Sequence, residues 1–107
     1  METDDIVEVV RGWAESQPLI LRVWIFGSRV RGAARINSDI DIAVEVLKRP
    51  SDSGSFTTFV FERHKLKDTL QFRMTIPVDL QWYGGSIETP IIHAALQESS
   101  ILVYEAS

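Results

Sequence analysis

From residue 39 to residue 47 the chain reads DIDIAVEVL, so that Asp39, Asp41, Ala43 and Glu45 alternate with Ile40, Ile42, Val44 and Val46. A period of two belongs to a strand, whose successive side chains leave opposite faces of a sheet. One face must then be buried by apolar partners. The other carries two aspartates whose backbone positions lie roughly 6 to 7 Å apart, close enough to repel each other or to share a cation.

The rest of the chain supplies the partners. Ile6, Val9, Val10 and Trp13 recur at helical spacing, with cap-type and acidic residues from Thr3 to Asp5 and a stop at Pro18; Trp13 reads as core. Residues 19–26 form a dense apolar run broken only by Arg22 and bounded by Pro18 and Gly27, a buried strand. Gly27-Ser28 ends it in a tight turn, and a short helical turn is expected over 29–34 before an Asn37-Ser38 break. The stretch KRPSDSGS at 48–55 reads as a loop inside one domain. A helix follows over 56–72, with Ser55 as N-cap, Phe56, Phe59, Val60, Arg63, Leu66 and Leu70 on its buried stripe, and His64 off that stripe as a solvated residue. Residues 75–82, TIPVDLQW, read as a third strand, Pro77 favouring an edge position or the strand start. Thr89-Pro90 opens a helix to about Glu98, on which His93 is a packing residue, and 100–104 form a last extended piece. Trp82 and Tyr83 fit either sheet packing or a partner interface. This order predicts an α/β (α+β) fold: one domain over 1–107, a small mixed sheet with helices packed against it.

Composition narrows the chemistry. With no cysteine and two histidines, thiolate sites are excluded and any metal has to be held by oxygen. No apolar run approaches the roughly 20 residues of a membrane helix, and the acidic start lacks the basic segment of a secretory signal, so no membrane contact and a cytoplasmic location are expected. The net charge of -4 argues against direct nucleic-acid binding through a basic surface. Its distribution says more: no Asp or Glu lies between residues 16 and 38, where Arg22, Arg29, Arg31 and Arg35 stand, and Asp39, Asp41 and Glu45 follow at once. A cationic segment that runs into a carboxylate cluster fits an anion together with a cation.

Gly27-Ser28, ten residues, Asp39-x-Asp41, and later Asp79 on another strand form a constellation whose parts require each other. A glycine and a hydroxyl residue at a strand-to-helix turn let the backbone approach a phosphate, with Arg31 beyond to screen charge. Magnesium takes oxygen ligands and completes its shell with water and phosphate oxygens, which suits an Asp-x-Asp pair. A third carboxylate, Asp79, would complete a two-ion arrangement and serve as general base. An Asp-x-Asp alone arises readily by chance in so acidic a chain; Gly-Ser at one fixed upstream offset makes the joint pattern far more specific.

The segment GSRVRGAARINSDIDIAV resembles the signature of the nucleotidyltransferase superfamily that includes DNA polymerase beta, and within it the minimal nucleotidyltransferases, the MntA-like antitoxins. The similarity extends over nearly the whole chain, through VDLQW to the closing ALQESSILVYE; Val30-Arg31-Gly32 stands where the family commonly has Ala-Arg-Gly. The resemblance implies that Gly27 and Ser28 bind the triphosphate of ATP and that Asp39, Asp41 and Asp79 hold Mg2+ and carry catalysis; Arg31 beyond the turn is a further candidate for the phosphates, a solvent-facing role being its alternative. It implies transfer of AMP to a hydroxyl, the acceptor being a tyrosine of a HEPN-type toxin, and an antitoxin role. The absence of an acceptor-binding domain within 107 residues leads to the same expectation of a protein partner. Two alternatives stay open: a binding module that neutralises the toxin by complex formation alone, and a small-molecule nucleotidyltransferase such as an antibiotic-modifying enzyme.

Overall fold

The computed structural model describes residues 2–32 and 39–107. Helix α1 (Thr3–Glu15) leads into β1 (Ile20–Phe26), then β2 (Ile40–Val46), α2 (Ser55–Gln71), β3 (Val78–Trp82), the single turn α3 (Gly85–Glu88), α4 (Pro90–Glu98) and β4 (Ser100–Glu105). The four strands make one sheet in the order β3-β2-β1-β4. β1 runs antiparallel to both β2 and β4, while β3 returns through α2 to lie parallel to β2. The expected mixed sheet with packed helices is the fold observed.

Both long helices cover one face of this sheet. Val23, Ile25, Ile40, Ile42, Val44, Val78, Leu80 and Val103 meet Ile6, Val10 and Trp13 of α1 and Phe59, Leu66 and Leu70 of α2 in one core cluster. Trp13 is completely buried, and its indole N–H donates to Thr69 Oγ1 at 2.9 Å. That bond satisfies the one polar atom the ring brings into the core. A register shift between Ile20 and Arg22 lets β1 keep both Ile20 and Val23 on the core side, three residues apart where simple alternation would separate them.

Several local expectations change. At α1 the N-cap is Glu2, whose backbone N–H donates to Asp5 at 3.3 Å, so the acidic first turn acts one residue earlier than the sequence indicates. At α2 the N-cap is Gly54, not Ser55; the Ser55 hydroxyl instead accepts a bond from the Trp82 indole at 3.0 Å. The buried face of α2 is also rotated from the predicted stripe. Thr58, Phe59, Leu66 and Leu70 are buried, whereas Phe56 and Val60 are each 53% exposed and Arg63 faces solvent.

β3 begins at Val78, three residues after the predicted start. Before it, the Gln71 side chain does the work of a neighbouring strand: its amide donates to Ile76 O at 2.9 Å and accepts from Val78 N–H at 2.8 Å. Pro77 precedes this edge strand, as its missing N–H requires. Of the predicted helical turn over 29–34, residues 28–32 form turns, and Ala33 and Ala34 lie outside the described residues together with Arg35, Asn37 and Ser38. No helix among the described residues is long and apolar enough to cross a membrane.

Candidate active site

The face of β2 opposite the core carries Asp41, Ala43 and Glu45. Register fixes what stands beside them. Asp41 is aligned with Asp79 on β3 and with Phe26 on β1; the next positions align Trp24, Ala43 and Gln81. Parallel pairing therefore brings together two aspartates that lie 38 positions apart in sequence.

The end of β1 delivers the turn to the same place. Gly27 has φ +84°, the left-handed region that glycine enters without penalty. A Cβ at this position would collide with Asp41 Oδ2. The glycine thus allows close approach, and in the structure the group approached is a carboxylate of the site itself. Its carbonyl accepts bonds from Val30 N–H and Arg31 N–H, each at 3.2 Å, and Gly32 N–H closes on Arg29 O at 3.4 Å. Ser28 lies half-buried inside this turn. The expected helix start is thus a hydrogen-bonded turn as far as residue 32.

Asp39 is exposed and directly precedes β2. Arg31, also exposed, pairs with Glu98 at the end of α4 across 3.8 Å. Arg22, part of the cationic stretch in sequence, is committed elsewhere, to Glu45 at 3.5 Å and Glu105 at 3.3 Å.

The electrostatics follow from the crowding. Burial pushes the Asp41 carboxyl above the usual carboxylate range, the Asp79 charge and a side-chain hydrogen bond with Asp79 push it further, and Asp39 adds to this; Arg31 acts in the opposite sense. Two carboxylates side by side with their charge unbalanced form a donor set of oxygen atoms only, which a hard divalent cation fits. Among the described residues no three His, Asp or Glu side chains are gathered as a finished ion cage. Asp41 and Asp79 are therefore the pair that could hold a cation, with Asp39 near enough to influence Asp41.

Sequence reasoning missed two features of this face. Gln81 Nε2 stands 3.0 Å from both Oδ1 and Oδ2 of Asp79. The spacing Asp79-x-Gln81 places both on one face of a strand, just as Asp39-x-Asp41 does, and that signal was available. The second is a ring cluster: Tyr83 meets Trp24 edge-on at 5.1 Å, stacks on His93, and its hydroxyl bonds His93 Nδ1 at 2.7 Å. His93 is a packing residue, as expected, and Tyr83 belongs to sheet packing. Trp82, tilted against Phe56 at 5.0 Å, does too. His64 is solvated and pairs with Asp68 at 3.1 Å.

A mixed sheet thus sets acidic residues of two parallel strands beside a glycine turn. The family described as polymerase beta, nucleotidyltransferase, matches residues 8–107, and the chain belongs to it. Solved structures share the fold. A crystal structure of a toxin-antitoxin with AMP-PNP aligns at TM-score 0.59 and 18% identity, covering 100% of this chain and 76% of the other. A mutant of the toxin-antitoxin MntA-HpeT aligns at TM-score 0.61 and 17% identity, with the same coverage. A nucleotidyltransferase from Sulfolobus solfataricus, itself assigned by inference, aligns at TM-score 0.51 and 23% identity over 92% of this chain and 76% of that one. No curated protein sequence matches this one.

Proposed function

We propose that the chain is a magnesium-dependent nucleotidyltransferase that moves AMP from ATP to a hydroxyl acceptor, a tyrosine of a HEPN-type toxin, and so acts as that toxin's antitoxin. The observation that carries the transferase reading is the in-register pair Asp41 and Asp79 beside the Gly27 turn. Likeness in fold to toxin-antitoxin structures supports the choice of partner.

In this reading the Gly27-Ser28 turn receives the triphosphate, with the Ser28 hydroxyl as a donor and Arg31 to screen the charge, while the missing Cβ at Gly27 makes room for the Asp41 carboxylate. Asp41 and Asp79, joined by Asp39, would hold the divalent cation, which supplies stabilisation of charge on the phosphates and on the leaving pyrophosphate. The Asp79 carboxylate takes the proton of the acceptor hydroxyl. That oxygen forms the new bond to the α-phosphorus, the bond from the α-phosphorus to the bridging oxygen breaks, and pyrophosphate departs with its electron pair.

The test is transfer of label from α-labelled ATP to a HEPN toxin, with magnesium, by the whole chain. Label should appear on the toxin, fall to background with EDTA, and drop by about 10²-fold or more in Asp41→Asn and Asp79→Asn, the scale on which single groups that stabilise transition-state charge act. Undiminished labelling by both variants would overturn the assignment. Toxin neutralisation by wild type with no label anywhere would establish the binding module instead.

A further inference from the structure

We propose that Gln81 is a positioning residue for the acidic pair: it sets the plane of the Asp79 carboxylate so that the cation site is assembled before the cation arrives. The proposal rests on the reading of Asp41 and Asp79 as cation ligands.

An aspartate has a broad, roughly two-fold terminal torsion, so the backbone of β3 does not itself decide which way the Asp79 oxygens face. Gln81 decides it. Its Nε2 lies 3.0 Å from each oxygen, so the amide donates to both at once and holds the carboxylate from one side. Asp41 meets Asp79 from the neighbouring strand. Held from one side by the amide, the Asp79 carboxylate keeps its outer lone pairs for that neighbour and for whatever the two share.

The sheet is built to allow this reach. Gln81 and Asp79 are two residues apart on one strand and so leave the same face. The residue aligned with Gln81 on β2 is Ala43, fully buried and with a methyl group as its side chain, which leaves room for the longer amide to fold back along β3. A neutral donor is also the right chemistry. A lysine or arginine here would itself balance the carboxylates and compete with a cation, whereas an amide orients without discharging them. Partners that orient metal ligands in this way typically matter by 10- to 100-fold in metal affinity.

The experiment measures Mn2+ binding by electron paramagnetic resonance, in the presence of a nonhydrolysable ATP analogue, for the wild-type chain and for Gln81→Met, which keeps length and volume but has no N–H. The expected result is affinity weakened by about 10- to 100-fold in Gln81→Met, with the melting temperature of the metal-free protein little changed and, in turnover, kcat lowered more than KM for ATP. Mn2+ binding within about 2-fold of wild type would overturn the proposal while leaving the site's assignment intact, since loss of a residue that orients a metal ligand acts on a larger scale. Absence of Mn2+ binding by wild type would overturn both. Should the variant not fold, the wild type still decides: in a nitrogen-15 spectrum of the metal-free chain the Gln81 side-chain amide must show slowed proton exchange, and exchange at the rate of exposed glutamines refutes the clamp.

Discussion

At Gly27 two requirements meet in one residue, a positive φ and a missing Cβ against Asp41. Gly27→Ala therefore meets backbone strain of about 1–3 kcal/mol and displaces the carboxylate as well. Urea unfolding should show the first as a lowered midpoint, and the labelling assay should show the second as loss of transfer. Asp41 gives the opposite pairing of effects. Its carboxyl is pushed up by burial and by its acidic neighbours, so ionisation is disfavoured in the folded chain. The fold then gains stability as pH falls through the raised value and loses it as the group ionises above. Asp41→Asn cannot ionise; its metal-free melting temperature at pH 7 should exceed that of wild type, by a small margin because solvent screens the site. The gap should close in acid; if the proposed function holds, magnesium and ATP should raise the melting temperature of wild type and not that of the variant.

Helix α2 shows where the sequence was legible and where it was not. Its existence and length follow from composition and spacing, but six apolar or long residues fit more than one stripe, and two of the predicted ones, Phe56 and Val60, are half exposed. What rotates the helix is a polar network that no periodicity reveals. The buried Thr58 hydroxyl donates to Asp52 at 2.6 Å and accepts from Arg49 N–H at 3.1 Å, and Arg49 bonds Asp52 and Glu62 at 2.9 and 2.7 Å. The loop before α2, legible only as a loop, thus fixes the helix's orientation. Leu66→Ala should cost about 2–5 kcal/mol, whereas Val60→Ser should stay within about 0.5 kcal/mol of wild type; equal effects in denaturant titrations would contradict the observed face. The Thr58 hydroxyl, then the Arg49 guanidinium, hold the Asp52 carboxyl below its ordinary range. Its contribution is present above the ordinary value and vanishes as pH falls through the lowered one. Asp52→Asn should melt below wild type at pH 7, and the two should converge as the pH falls through the lowered value. The strands were easier to read, since alternation at Asp39–Val46 left one choice of face; that Asp79 joins the Asp-x-Asp pair was expected from the motif, but its alignment with Asp41 in particular was not readable, because register between strands is a tertiary fact.

On the scale of the molecule, the site lies on one face of the sheet and the helical core on the other, so chemistry and stability draw on opposite sides of the same strands. Among the described residues β1 and β2 are paired on both edges, whereas β3 and β4 each have one open edge. Amides of Val23, Ile25, Ile42 and Val44 should therefore exchange at least about 10-fold more slowly than those of β3 and β4, as hydrogen exchange followed by NMR can measure; the reverse order would show that the edges are not the weaker units. The pairing of β1 with β4 joins Arg22 to Glu105, and Ala106 N–H donates to Leu21 O at 2.8 Å. A nascent chain on the ribosome consequently carries β1 with an unsatisfied edge until residues 100–105 have emerged. During that interval the apolar stretch ILRVWIF is open to association with other chains, and a chaperone that shields nascent strands would find its substrate there.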